Sequence, residues 1–95
     1  MPDRTTLKIG DRIRLLRVPA WDLKQREREV REGVLDDPGC TADTIERIIR
    51  QDPVVTIVRI DEYGYPWFDY ELVDADGGVE EHTLAIMEDE SWTWA

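Results

Sequence analysis

Several segments of the chain alternate apolar and polar residues, as a half-buried strand does. Residues 8–18 alternate around Ile9, Ile13 and Leu15, with arginines between them, which predicts a first strand with one buried face. Segment 54–60 is apolar at both parities, so we expect it to be buried on both faces or covered by a helix. Further strands rich in β-branched and aromatic residues are predicted at 67–73, 79–86 and 91–94.

Two segments between the first and second strands have helical periodicity. The first runs from Asp22 to Gly33, where Asp22 and Gln25 have the spacing of a capping box and Gly33 can end the helix. It has few apolar residues, so we expect a solvated surface helix. The second follows a turn at residues 36–39 and begins near residues 41–43. Its apolar stripe needs a partner in the core and consists of Ile45, Ile48 and Ile49.

Length and strand number together define the expected architecture. The chain of 95 residues fits one domain, residues 1–95, with a helical insertion at about residues 20–52. Five short strands predict a small closed or partly closed barrel, because closure removes unpaired sheet edges.

Three segments of the sequence carry a further pattern: the opening Lys8–Arg14, the hairpin around Ile60–Gly64, and Leu84–Ile86 before Trp92. Together they resemble small bacterial SH3-like β-barrel proteins, a group of largely uncharacterised function. The resemblance implies a mainly β fold, namely a small SH3-like five-stranded antiparallel barrel with a helical insertion between strands one and two. The ALYDY-type motif of peptide-binding SH3 domains is absent, so recognition of proline-rich ligands is not implied.

Charge is divided unequally along the chain. Residues 1–50 hold 11 basic and 10 acidic side chains, whereas residues 51–95 hold 1 basic and 12 acidic ones, which gives the net charge of −10. No Lys or Arg follows Arg59, and every aromatic residue except Trp21 lies in the acidic half. A surface of this kind repels nucleic acid and suits a basic protein partner.

The candidate partner-binding surface combines these acids and aromatics. If Phe68, Tyr70 and Leu72 face the core, Trp67 points outward beside two carboxylates, where an exposed indole can anchor an interface. The alternative is that the helical insertion covers Trp67. The predicted site consists of Asp61, Glu62, Tyr63, Tyr65, Trp67, Asp69 and Glu71.

We therefore expect a non-enzymatic cytoplasmic binding module whose acidic, aromatic surface docks a basic protein, as an inhibitor, an immunity-type protein or an adaptor would. No cofactor, metal or direct nucleic-acid contact is expected. One alternative is a nucleic-acid mimic that occupies the basic groove of an enzyme. Another is an accessory subunit or small enzyme that uses His82 with Glu80 or Glu81. An acidic proteome would also explain the charge, without any partner.

For the other residues that could bind a metal or take part in catalysis, the sequence favours structural roles. His82 is the only histidine and has no second His or Cys at ligand spacing. The segment Asp74–Gly77 has the spacing that begins a calcium loop, but position 12 is Ala85, so we predict a hairpin turn. The basic residues within 12–31 are interspersed with acids, and we expect them to pair with the acidic half of the chain rather than to bind nucleic acid.

Cysteine content and hydropathy predict the compartment. Cys40 is the only cysteine, so no intrachain disulfide can form, and we expect a reducing, cytoplasmic environment in which this thiol has no catalytic role. No apolar run reaches the length of a membrane span, and the first residues lack the apolar core of a signal peptide.

Overall fold

The computed structural model describes residues 2–33 and 40–95 of the chain. Within these residues there are five strands and two α-helices, besides a single 3-10 turn at Arg4–Thr6. The strands are β1 (Arg12–Leu15), β2 (Val54–Ile60), β3 (Pro66–Val73), β4 (Val79–Ala85) and β5 (Trp92–Trp94). The helices are α1 (Ala20–Glu32) and α2 (Cys40–Gln51). The turn predicted at 36–39 lies outside the described residues.

The strands form one antiparallel sheet in the order β4-β3-β2-β1-β5. Both helices lie between β1 and β2 in the chain. The predictions of a mainly β domain, of antiparallel strands and of a helical insertion are therefore confirmed. The outer strands β4 and β5 do not pair with each other in the described part of the chain, so hydrogen bonds do not close the sheet.

The core lies between one face of the sheet and helix α2. Ile48 is fully buried at its centre, as the isoleucine stripe predicted, and Phe68 and Leu72 face it from β3. Ile45 belongs to a smaller cluster with Val18 and Ala42, and the partly buried Ile49 and Leu84 pack against both clusters. The main cluster consists of Leu7, Ile13, Leu15, Ile48, Val55, Ile57, Phe68, Leu72, Ile86 and Trp92.

Of the two arrangements predicted for strand β2, burial on both faces is wrong, whereas cover by helix α2 agrees with the packing of Val55 and Ile57 in one cluster with Ile48. Val55 and Ile57 are buried, whereas Val58 and Ile60 are 43% and 36% exposed. Helix α2 packs on one face of the sheet, and Thr56 and Val58 on the opposite face of β2 are exposed. An irregularity in the pairing with β3 occurs between Ile57 and Arg59, and it changes the alternation of the strand at that point.

Strand β1 is shorter than predicted. Its residues before Arg12 form a turn in which the Asp11 amide donates to the Lys8 carbonyl at 3.0 Å and Gly10 adopts a φ of 96°. Ile9, which the alternation placed in the strand, is mostly exposed. The buried positions of the strand itself are Ile13 and Leu15, as predicted.

Helix α1 begins two residues before the predicted capping residue. Pro19 precedes the first turn without a side-chain cap, and the Ala20 amide donates to Glu88 Oε1 at 3.2 Å. The predicted capping box at Asp22 and Gln25 is therefore wrong, because a carboxylate distant in sequence occupies the helix start. The helix ends as predicted, since Gly33 has a left-handed φ of 63° and its amide donates to the Glu29 carbonyl.

Candidate partner-binding surface

Asp61 organises the hairpin between β2 and β3. Its Oδ1 accepts hydrogen bonds from the Tyr63 and Tyr65 amides, each at 2.9 Å. Its Oδ2 accepts from Trp67 Nε1 at 2.9 Å. Gly64 completes the turn with a φ of 85°, a conformation that side chains with a Cβ rarely adopt. The carboxylate of Asp61, predicted as part of the binding surface, is thus occupied by donors of its own hairpin.

These contacts stabilise the charged form of Asp61. The hydrogen bond from Trp67 lowers the pKa of Asp61 most, and the Tyr65 and Tyr63 amides and the charge of Arg59 act in the same direction. Partial desolvation opposes them. Because the pKa is lower in the folded state than in the unfolded chain, the carboxylate stabilises the fold above the unfolded pKa. That contribution is lost as the pH falls through the folded pKa.

Replacing Asp61 with Asn should lower the thermal midpoint at neutral pH. The amide cannot accept from Trp67 Nε1 while its oxygen serves the Tyr63 and Tyr65 amides, because its other end is a donor. The difference from the wild type should shrink as the pH falls below the ordinary aspartate range, where the wild-type carboxyl is itself protonated. Thermal denaturation across acidic and neutral pH measures this, and a constant difference at every pH would contradict it.

Trp67 lies on the outer face of β3, opposite in parity to the buried Phe68. Its half-buried ring lies under the guanidinium of Arg59, 4.7 Å from the ring centroid. Helix α2 reaches β3 elsewhere, where Gln51 Nε2 donates to the Tyr70 hydroxyl at 3.2 Å. The alternative that the helical insertion buries Trp67 is therefore not what the structure shows. The indole is held by Asp61 and Arg59, and part of it remains exposed.

The two tyrosines of the hairpin have different environments. Tyr63 is 78% exposed at the tip, which makes it the most exposed large hydrophobic residue in the described part of the chain. Tyr65 is half-buried, and the guanidinium of Arg4 lies 5.4 Å from its ring centroid. Arg4 is in turn 3.5 Å from Asp89. Tyr63 is thus available to a partner, whereas Tyr65 belongs to the support of the hairpin.

Carboxylates cover the outer face beyond Trp67. Glu71 on β3 lies directly opposite Glu81 on β4, and both residues are exposed. Asp69 accepts from the Thr83 hydroxyl at 2.8 Å, and Glu62 is exposed on the hairpin. Glu81 is absent from the predicted site. The turn at 74–78 pairs residues 71 and 81, so the register of this hairpin would have identified it.

The carboxylates on the outer face of β3 and β4 are not neutralised by the basic half of the chain in the described residues. Among the basic residues of 12–31, Arg26 has ion-pair partners in the described residues, Asp43 at 3.0 Å and Glu46 at 2.7 Å. Both partners belong to the N-terminal half, so the expectation that these cations pair with the acidic half is wrong. The described ion pairs that connect the halves are Arg4 with Asp89 and Arg47 with Glu80.

His82 lies beside one of these pairs, on the inner side of β4 opposite Tyr70. Its Nε2 is 3.4 Å from Glu80 Oε1, yet this buried atom makes no hydrogen bond of acceptable geometry. Glu80 is held mainly by Arg47, at 2.7 Å, whose hydrogen bond lowers the pKa of Glu80. Across residues 2–33 and 40–95, no group of three or more His, Cys, Asp and Glu side chains could hold a metal ion.

The segment Asp74–Gly77 forms the hairpin turn that the sequence predicted. Asp74 Oδ1 accepts from the amides of Asp76 and Gly78 at 2.9 and 2.8 Å, and Gly77 has a φ of 85°. The Asp74 carboxylate therefore serves the turn itself.

None of the helices in the described residues is both long and apolar enough to span a membrane. Comparisons with protein-family models, with curated proteins and with solved structures returned no match to this chain.

Proposed function

We propose that this chain is a non-enzymatic binding module of the cytoplasm whose acidic, aromatic surface docks a basic protein. The surface, here called the acidic face, consists of Glu62, Tyr63, Trp67, Asp69, Glu71 and Glu81. An inhibitor, an immunity-type protein or an adaptor would each use such a surface. We also propose that the five strands form an SH3-like barrel, which the antiparallel order β4-β3-β2-β1-β5 supports. The two helices between β1 and β2 are a departure from SH3 domains.

The observation that carries the functional proposal is the pairing of Glu71 with Glu81 across β3 and β4. Like charges directly opposite each other destabilise an antiparallel pair. No cation of the described residues contacts either carboxylate within ion-pair distance. A basic partner would supply the missing counter-charges, so the arrangement is unfavourable in the free chain and favourable in a complex.

The aromatic residues of the acidic face add an anchor to this charge. Tyr63 projects from a turn that three hydrogen bonds to Asp61 hold in place. A rigid, exposed aromatic next to carboxylates can insert between the aliphatic stems of lysines and arginines while the charges meet. Tyrosine also loses little side-chain entropy when it becomes ordered in an interface.

Neutralising the acidic pair should change stability and binding in opposite directions. In the Glu71→Gln/Glu81→Gln variant, loss of the repulsion should raise the free energy of unfolding by about 0.2–1 kcal/mol. The same variant should bind a basic protein more weakly, mainly through slower association. Chemical denaturation measures the first effect, and affinity capture from the native lysate, followed by binding kinetics at two salt concentrations, measures the second.

A matched control removes the same charge elsewhere. Glu27 and Glu90 are both exposed and lie outside the acidic face, so Glu27→Gln/Glu90→Gln should leave partner capture unchanged. Equal loss of binding in both variants would mean that only the net charge matters, as an acidic proteome would produce. Captured basic protein that is released by added DNA would favour the nucleic-acid mimic. A lost enzymatic activity in His82→Ala, with capture intact, would favour the enzyme alternative.

A further inference from the structure

Helix α1 is oriented with its polar side toward the domain. Its half-buried residues are Asp22, Gln25, Arg26 and Glu29, and none of its residues is buried. Two of its three large apolar residues are mostly exposed, Trp21 at 64% and Val30 at 62%, and the third, Leu23, is 40% exposed. A surface helix ordinarily has the opposite arrangement, with its apolar stripe toward the core.

The solvent side of α1 also carries unpaired cations. Trp21, Lys24, Arg28 and Arg31 succeed one another at spacings of three, four and three residues, which places them on one face of the helix. They line one shallow depression together with Gln25 and a single acid, Glu27. None of these cations has an ion-pair partner among the described residues. The i,i+4 pairs that the sequence allows, Glu27 with Arg31 and Arg28 with Glu32, are not formed within ion-pair distance.

The attachment of α1 to the rest of the chain is polar. Arg26 bridges to Asp43 and Glu46 on α2, and the Ala20 amide donates to Glu88. A helix of 13 residues is marginal on its own in water, and here none of its residues is fully buried. Contact with a further surface would cover Trp21 and provide the missing support.

We propose that the Trp21–Lys24–Arg28–Arg31 face of α1 docks onto the acidic face of a second copy of this chain, so that α1 is itself a basic partner for that surface. This inference rests on the proposed function, because it assigns an occupant to the same acidic face. The two surfaces are complementary in charge, since the carboxylates of Glu71, Glu81 and Glu62 have no ion-pair partner among residues 2–33 and 40–95. They are also complementary in apolar content: Val73 and Val79, which lie opposite each other at the end of the β3–β4 pair, are both more than half exposed.

The net charge of −10 does not prevent this contact. At an ionic strength of 0.15 M the screening length is about 8 Å, so the repulsion between whole chains is strongly reduced while groups in contact still attract. The proposed interface joins two different surfaces, so it is heterologous and can extend beyond a dimer.

Self-docking is tested by sedimentation velocity on the full chain at about 0.15 M salt and chain concentrations from about 5 to about 500 μM. The wild type should form dimers and larger species as concentration rises. The α1-neutral variant, Lys24→Gln/Arg28→Gln/Arg31→Gln, should remain monomeric, and so should Glu71→Gln/Glu81→Gln. Mixing the two variants should restore a 1:1 complex, because each supplies the intact surface that the other lacks.

The matched control is Arg12→Gln/Arg14→Gln/Arg17→Gln, which removes the same charge from exposed residues outside α1 and should self-associate like the wild type. Circular dichroism of each variant checks that its helices remain. A wild type that stays monomeric throughout, or variants that stay monomeric when mixed, would overturn the inference. A monomeric wild type that retards a labelled single-stranded DNA, with this activity lost in the α1-neutral variant, would replace the second copy with a nucleic acid.

A separate titration distinguishes the absence of self-docking from the absence of any binding at the acidic face. The probe is a synthetic peptide of alternating lysine and leucine, added to the wild type and to Glu71→Gln/Glu81→Gln. If the wild type is monomeric but binds the peptide at least about tenfold more tightly than the variant, only self-docking is wrong. If the wild type neither self-associates nor discriminates in this titration, the acidic face is not a docking surface.

Discussion

Replacing Ile48 with Ala is expected to lower the free energy of unfolding by about 2–5 kcal/mol. Ile48 is 0% exposed and belongs to the main core cluster, between α2 and the sheet. Truncation removes buried methyl groups and leaves a cavity that the backbones of a helix and a sheet cannot collapse to fill. Urea denaturation with an unchanged slope would measure the effect as a loss of stability alone.

Val30→Ala provides the comparison on the other helix. Val30 is exposed on α1, so its truncation should change the free energy of unfolding by less than about 1 kcal/mol. Losses of similar size at the two positions would mean that α1 is integral to the core and that its solvent side is covered in the monomer. The measurement should be made at low chain concentration, so that any self-association does not contribute.

Replacing Tyr63 with Ala is expected to weaken binding of the basic partner by roughly 30-fold, or about 2 kcal/mol. Tyr63 is exposed at the tip of a preorganised hairpin, and the truncation should accelerate dissociation more than it slows association. The fold should be affected by no more than about 0.5 kcal/mol, because no contact of the core is lost. Surface plasmon resonance with the captured partner, together with thermal denaturation, measures both quantities.

Two further variants make this result specific. Trp67→Ala should weaken binding and also destabilise the hairpin, because the indole donates to Asp61 and lies under Arg59. Trp21→Ala removes an exposed aromatic of similar size on α1 and should leave the basic partner bound. If Tyr63→Ala binds as well as the wild type while Trp67→Ala loses only stability, the hairpin aromatics are structural and partner contact lies elsewhere.

The sequence by itself determined which segments form strands and helices and how charge is distributed along the chain. Alternation at residues 67–73 placed Phe68 and Leu72 in the core, because side chains of a strand point to opposite faces in turn. The isoleucine stripe of α2 predicted an apolar partner in the core, and Ile48 packs against the sheet. The count of acids after Arg59 is independent of the fold, so the acidic character of β3 and β4 could be stated before the structure was known.

The tertiary structure decided which surfaces of these elements are covered. The apolar residues at both parities of β2 did not reveal that one face stays in solvent, because local pattern carries no information about how many layers pack on a sheet. The polar side of α1 faces the domain because Arg26 pairs with Asp43 and Glu46 on α2 and the Ala20 amide donates to Glu88. These contacts join residues far apart in sequence, so the local pattern does not reveal them.

The candidate site shows the same division. The sequence identified the acids and aromatics of residues 61–71, but not that Asp61 is bonded to Trp67 or that Tyr63 and Tyr65 have different environments. It also did not include Glu81, which joins the surface only through the register of β3 with β4. Composition and periodicity determine which residue types a face contains, whereas register, packing and long-range hydrogen bonds determine which of them remain exposed and unpaired.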